Sequence, residues 1–124
     1  MPTRSESRRR HRASALILAI ALPSAAVAAE RHFAIDAIAG AAPAAQRQLR
    51  VTQGDTVVVR LTSDKAGEAH LHAYRLTARL SPGAPAQWRF VAKASGRFRI
   101  EWHAQGWLSR THGPVLATLD VMPE

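Results

Sequence analysis

Residues 51–76, VTQGDTVVVRLTSDKAGEAHLHAYRL, alternate apolar and polar side chains in short runs that turn residues separate. From Val57 to Leu61 an apolar residue recurs at every second position, which is the period of a strand with one buried face. Gly54-Asp55 lies between two such runs. The sequence therefore predicts two strands that a turn at these residues joins into a hairpin.

The rest of the chain continues this pattern. A strand is predicted from about Glu68 to Leu80, after which Pro82-Gly83 breaks the chain. Further strands are predicted at HFAIDAI (residues 32–38), AQWRFVA (86–92), RFRIEWH (97–103) and VLATLDVMP (115–123). Because about seven short runs have the strand period and no long run has the helical one, the chain is predicted to form an all-β Greek-key β-sandwich.

The first 29 residues have the composition of a secretory signal peptide. A basic head rich in arginine precedes an apolar stretch from Ala13 to Leu22, a break at Pro23 and small residues that end at Ala29. The apolar stretch is about ten residues long, half of what a spanning helix needs, so no permanent membrane anchor is expected. The sequence predicts cleavage after Ala28 or Ala29, one domain over residues 30–124, and a periplasmic location.

Composition excludes several classes of function. Residues 30–124 carry 12 Lys and Arg against 8 Asp and Glu, a net charge of +4, and the basic residues are scattered singly along the chain. No nucleic-acid partner is expected from that distribution. The chain has no cysteine, which excludes disulfides, thiol chemistry and any copper site that depends on a thiolate.

A pair of histidines in the strand predicted from Glu68 gives the chain its candidate chemistry. Side chains at i and i+2 share a face of a strand, so Glu68, His70 and His72 are expected to point together. Two neutral imidazoles at this spacing can share one metal ion, each about 2.0 Å from it. The alternative is that both are solvated surface groups.

Two later histidines are candidates to complete such a site. The same parity rule places Glu101 and His103 on one face of their strand and Trp102 on the opposite, apolar face. His112 lies beside a Gly-Pro turn in the loop that follows. Glu68 and Glu101 are interpreted as surface partners of arginines, with the orientation of an imidazole as the alternative role. Trp107, in the same loop, is interpreted as a core cap or an exposed contact aromatic.

Three stretches resemble the cupredoxin-like domain of small periplasmic bacterial proteins: residues 51–76, SPGAPAQWRFVAKASGRFRIEWH (81–103) and HGPVLATLDVMP (112–123). The resemblance extends from Leu49 to Pro123 and implies a cupredoxin β-sandwich. The positions that match are Gly54, Asp55, His70, Leu71, His72, Tyr74, Gly96, Phe98, Glu101 and His103. The chain departs from the family at Ala73 and Arg75, where Gly and Asp are usual, and in lacking the late cysteine of blue copper proteins.

We predict a mononuclear, type 2-like copper site made of His70, His72 or both, together with His103 and His112. Imidazole ligands without thiolate favour Cu(II), with zinc as the second choice. Met122 offers a thioether, although its position at the end of the last strand favours packing.

The expected function is to carry, sequester or deliver copper to a periplasmic copper-handling or redox protein, without catalysis. The alternative is a metal-free sandwich that acts as an interaction module.

Overall fold

The computed structural model describes residues 2, 14–23, 27–106 and 113–124. In this part of the chain eight strands form two sheets that enclose one apolar core, which confirms the predicted all-β sandwich. The strands are β1 (Glu30–Ala37), β2 (Gln48–Thr52), β3 (Thr56–Ser63), β4 (Gly67–Leu71), β5 (Leu76–Leu80), β6 (Ala86–Val91), β7 (Gly96–Ala104) and β8 (Val115–Met122). Two short 3-10 turns lie at Ala44–Gln46 and His72–Tyr74.

The two sheets have different sizes. The smaller has the strand order β1-β3-β6, and the larger has the order β2-β8-β7-β4-β5. The pairs β1-β3 and β2-β8 are parallel, and the remaining neighbours are antiparallel. The core between them contains fully buried aliphatic side chains from both sheets, among them Leu49, Leu61 and Leu119.

The predicted hairpin at Gly54-Asp55 is wrong, because β2 and β3 lie in different sheets. Gly54 has a φ of +94°, and its N–H donates to the carbonyl oxygen of Ala92 at 2.8 Å, so the chain turns a corner between the sheets here. Leu49 and Val57, on either side of the corner, are both buried in the shared core. An alternation of apolar and polar residues is compatible both with a hairpin and with a corner between two sheets, so the sequence pattern does not distinguish the two.

The predicted single strand from Glu68 to Leu80 is also wrong. The chain leaves β4 after Leu71, forms the 3-10 turn His72–Tyr74, and passes through Arg75 in the left-handed region at a φ of 54°. The ring of Tyr74 packs against Phe90 and Phe98, with centroids 4.9 and 5.4 Å away, and anchors the turn. His72 therefore lies on a turn rather than two residues further along a strand.

A buried carboxylate, that of Asp55, holds the corner between β2 and β3. The side chain is 5% exposed. Oδ2 accepts a hydrogen bond from the Thr52 N–H at 2.9 Å, and Oδ1 accepts one from the Ala29 N–H at 3.0 Å. These backbone donors, Thr52 first, hold the pKa of Asp55 below its usual value because they stabilise the charged form. The carboxylate ties the start of β1 to the corner between β2 and β3.

The segment at residues 14–23 contains neither helix nor strand, and its large apolar side chains are exposed, Leu16 and Ile17 by about nine-tenths. Within the described residues no helix is long and apolar enough to cross a membrane. The signal peptide and the domain boundary at residue 30 stay predictions.

Candidate metal centre

The outer face of the larger sheet carries the histidines of β4 and β7. His70 lies opposite Glu101, and Ala69 lies opposite Trp102, in the antiparallel pairing of these strands. Trp102 is 4% exposed and belongs to the core, which confirms its predicted position. Glu101 and His70 consequently face away from the core. A register shift between Ile100 and Glu101, where β7 meets β8, interrupts the pairing beside the site, and such bulges commonly re-aim functional side chains.

Three ligand atoms from His72, Glu101 and His103 lie within 4.8 Å of one another. The Oε2 atom of Glu101 is 3.4 Å from Nε2 of His72 and 3.7 Å from Nε2 of His103. Two ligand atoms that each lie about 2.0 Å from one ion are at most about 4 Å apart. The two distances from the carboxylate already fall in that range, and the remaining pair needs at most a sub-ångström adjustment.

Glu101 is the most deeply buried member of this cluster, with a side chain 2% exposed, whereas those of His103 and His72 are 17% and 61% exposed. The interpretation of Glu101 as a surface partner of arginine is therefore wrong. Burial of a carboxylate is costly unless cations or hydrogen-bond donors compensate for the lost water. The imidazoles of His72 and His103 contribute to that compensation here, so the carboxylate links a turn to a strand.

Glu68 pairs with Arg79 at 3.6 Å, as expected for a surface partner of an arginine, and also contacts His70.

His70 lies beside the cluster with its ring nitrogens directed elsewhere. Its Nε2 is 3.0 Å from Oε2 of Glu68, and its Nδ1 is 3.4 Å from Oγ1 of Thr77. Its ring stacks on that of His72 at a centroid distance of 5.3 Å and meets the ring of His103 edge-on at 4.7 Å. The structure thus brings together three of the four predicted histidines, and the ring of His70 contacts the rings of the other two.

The predicted fourth ligand, His112, lies outside the described residues, and so does Trp107. Gly113, the next residue in sequence, lies against β7, where a Cβ atom would collide with the carbonyl oxygen of Trp102 and come within 3.2 Å of Cε1 of His103. The carbonyl oxygen of Pro114 accepts a hydrogen bond from the Trp102 N–H at 2.8 Å. The chain that follows His112 is therefore packed beside the ring of His103.

Met122 lies far from this cluster. Val115 pairs with Glu101, whereas Met122 is at the other end of β8, seven residues or about 23 Å along the strand. It is 48% exposed, so about half of it is packed against the protein. A thioether from Met122 is excluded as a ligand beside Glu101.

A cleft of about 500 Å³ opens next to the cluster. Glu68, Arg79 and His103 contribute to its walls. Solvent and small solutes reach one side of the imidazole through this opening.

Comparison with known proteins gives relatives at the level of structure only. No family model matches the chain, and no curated protein matches it in sequence. It aligns with the copper nitrite reductase of Nitrosomonas europaea with a TM-score of 0.59 and 18% identity, over 77% of this chain and 42% of that protein. The chain thus spans less than half of the reductase.

Two smaller structures match over most of their own length. The periplasmic domain of subunit II of the cytochrome oxidase of Bradyrhizobium japonicum aligns with a TM-score of 0.55 and 14% identity, over 75% of this chain and 84% of that domain. A copper binding protein in its apo form aligns with a TM-score of 0.53 and 11% identity, over 74% and 87% of the two chains. The chain therefore adopts a cupredoxin-like β-sandwich and carries a His-Glu-His cluster on the outer face of its larger sheet.

Proposed function

We propose that this chain is an exported copper-binding protein whose ion is held by His72 and His103 together with the carboxylate of Glu101. The observation that carries the proposal is the convergence of these three ligand atoms, within 4.8 Å of one another, around a carboxylate that is 2% exposed. A cation placed between them would balance the buried negative charge and use each imidazole in its neutral form.

The donor set supports Cu(II) as the ion and zinc as the competitor. Imidazole nitrogen suits both, a carboxylate oxygen binds either, and no thiolate is present to favour Cu(I). Similarity in fold to copper proteins supports copper over zinc.

His112 and His70 have different roles in this proposal. His112 is the fourth ligand, supported by the position of Gly113 against Cε1 of His103. His70 orients the site, because Glu68 and Thr77 hold its ring nitrogens while its ring contacts those of His72 and His103. Such supporting contacts fix the orientation of ligating imidazoles and raise metal affinity.

The proposed role is carriage or delivery rather than catalysis. His72 lies on an exposed turn, with 61% of its side chain accessible, so a ligand from a periplasmic partner can approach the ion from that side. The leader predicted in residues 1–29 supports export.

Isothermal titration of the purified protein with Cu(II) tests the proposal. Replacement of His72 and His103 by alanine is expected to weaken copper binding by at least about 100-fold, since removal of even a supporting residue costs 10- to 100-fold. His32→Ala is the matched control, because His32 is an exposed histidine paired with Glu30 on the smaller sheet. Equal affinities of the double variant and the control would remove the cluster as the copper site and leave the interaction module as the explanation of the fold. Titration with Zn(II) under the same conditions ranks the two ions.

A further inference from the structure

Ala29 is held on both sides of its backbone at the start of β1. Its N–H donates to Oδ1 of Asp55 at 3.0 Å, and its carbonyl oxygen accepts from the Thr56 N–H at 2.9 Å. The acceptor Asp55 is 3% exposed, and its other oxygen lies 2.9 Å from the Thr52 N–H and 3.7 Å from Nε of Arg31. A buried carboxylate therefore faces the nitrogen of Ala29.

The sequence around Ala29 also has the features of a processing site. Export proteases cut after a small residue that is preceded, two positions earlier, by another small residue. Ala26 and Ala28 satisfy this rule for a cut between Ala28 and Ala29, whereas a cut after Ala29 would place Val27 at the earlier position. The nitrogen that Asp55 binds is thus the nitrogen that the favoured cut would release.

We infer that the leader is removed between Ala28 and Ala29 and that the new amino terminus forms an ion pair with Asp55. Hydrolysis of this peptide bond by an export protease adds one water molecule across it. Ala28 leaves with a carboxylate, and Ala29 keeps an amine that takes up a proton at neutral pH. The neutral amide donor of the precursor becomes an ammonium group at the same position.

This change strengthens an existing contact rather than creating a new one. A hydrogen bond between two charged partners is shorter and about twice as strong as one with a neutral donor. Burial of Asp55 reduces screening by solvent and salt, and the Thr56 contact prevents the terminus from fraying. The folded protein therefore gains stability when the leader is removed, which ties completion of the fold to export.

The position of the cut decides whether this gain occurs. A cut one residue later, after Ala29, would remove the donor to Oδ1 and begin the chain at Glu30, whose carboxylate pairs with Arg89 at 2.9 Å and with His32 at 2.8 Å on the smaller sheet. The two cuts therefore predict different masses and different stabilities.

Intact mass measurement of the protein after expression with its leader and export gives the first test. The expected mass is that of a chain beginning at Ala29. A mass that corresponds to a start at Glu30, or to a retained leader, would overturn the inference.

Acetylation of the amino terminus tests the ion pair itself. The exported protein is acetylated in denaturant at a pH of about 6.5, where the α-amine reacts ahead of the two lysine side chains, and is then refolded. Acetylation restores a neutral amide and is expected to lower the melting temperature by about 4 °C, the shift expected for one ion pair in a domain of this size. In Asp55→Asn the shift should shrink to less than about 1 °C.

The matched control is Asp64→Asn. Asp64 also accepts a backbone N–H, that of Ala39 at 2.9 Å, but it is exposed and lies in the bend after β3. Acetylation should lower the melting temperature of this variant as much as that of the unmodified sequence. An equal shift in all three proteins contradicts the ion pair. If Asp55→Asn does not fold, a measurement at about pH 10 replaces it, because the α-amine of the unmodified sequence is neutral there and the acetylation shift should shrink, and a shift as large as that at pH 7 contradicts the pair.

Discussion

Two of the carboxylates that the sandwich buries, Asp55 and Glu101, lie near opposite ends of β8 and have different neighbours. Asp55, 3% exposed, accepts hydrogen bonds from the backbone N–H groups of Thr52 and Ala29. Glu101, 2% exposed, lies beside the side chains of His72 and His103. Backbone donors cannot bind a metal ion or release a proton near neutral pH, whereas imidazoles do both. Burial alone therefore does not mark a functional carboxylate, but the type of its neighbours does.

A glycine lies near each carboxylate, and the two positions require glycine for different reasons. Gly54 adopts a φ of +94° in the corner next to Asp55, and no heavy atom lies within 4 Å of the position that a Cβ would take. Gly113 has no such conformational requirement, but a Cβ there would collide with the carbonyl oxygen of Trp102. Gly54 is required because the turn needs a positive φ. Gly113 is required because two segments of backbone lie in direct contact there.

The largest effect is expected from Gly113→Ala. Overpacking against backbone atoms cannot be relieved by a rotamer change, so the free energy of unfolding should fall by about 3 kcal/mol. Copper binding should weaken as well, because the added methyl group displaces His103. Gly54→Ala should lower the free energy of unfolding by about 1 kcal/mol, the cost of the left-handed backbone alone, and leave copper affinity unchanged. Urea unfolding and copper titration of both variants measure these quantities, and equal losses of stability would contradict the distinction between the two glycines.

Glu101→Gln separates charge from shape at the candidate metal centre. The amide has nearly the same volume but lacks the negative charge, so copper affinity should fall by about 10- to 100-fold. The matched change Asp55→Asn should leave copper affinity within about twofold, because Asp55 lies near the opposite end of β8 from Glu101, and sites that share no partners act independently. Cu(II) titration of both variants decides the question: a Glu101→Gln protein that binds copper like the unmodified sequence would give Glu101 the same structural role as Asp55.

The smallest effect concerns stability in acid. Backbone donors lower the pKa of Asp55 in the folded protein below 3.8, so its contribution to the free energy of unfolding is complete above about pH 3.8 and is lost as the pH falls through the lower, folded value. Asp55→Asn should reduce the free energy of unfolding at pH 7 by about 1–2 kcal/mol and flatten its decline in acid. Urea unfolding between pH 7 and pH 2.5 measures both.

Some acid dependence should remain in that variant. The pKa of Asp120 is also lowered, by hydrogen bonds from Gln48 and Arg97, and that of Asp36 by hydrogen bonds from Gln46 and Thr62. An Asp55→Asn protein whose acid profile coincides with that of the unmodified sequence would show that Asp55 contributes nothing to it.

The strands could be predicted from the sequence because a period of two is a local property. The prediction placed Trp102 in the core for the same reason. The choice of strand partners, in contrast, is not a local property. The corner at Gly54-Asp55 shows the same alternation of apolar and polar residues that a hairpin would show. The turn at His72–Tyr74 was missed because it contains neither Gly nor Pro, and its left-handed residue, Arg75, is of a type that rarely adopts that conformation.

The candidate site, too, could be predicted only as far as local sequence patterns reach. Histidines are conspicuous in a sequence, so the sequence alone predicts His72 and His103 as ligands. The burial of Glu101 depends on groups that come from other strands and turns, and no pattern within β7 carries that information. A carboxylate two residues before a histidine in an alternating run was the only local signal, and it is common on exposed strands.

The pairing of β2 with β8 joins residues about 70 positions apart, Gln48 with Thr118 among them. Closing so long a loop costs chain entropy before any contact compensates for it, and domains dominated by such distant pairings fold in milliseconds to seconds rather than microseconds. The larger sheet cannot be assembled until its final strand has been synthesised. Closure of this sheet therefore waits for β8, although β4 and β7, which carry the histidines and pair directly with each other, emerge from the ribosome earlier.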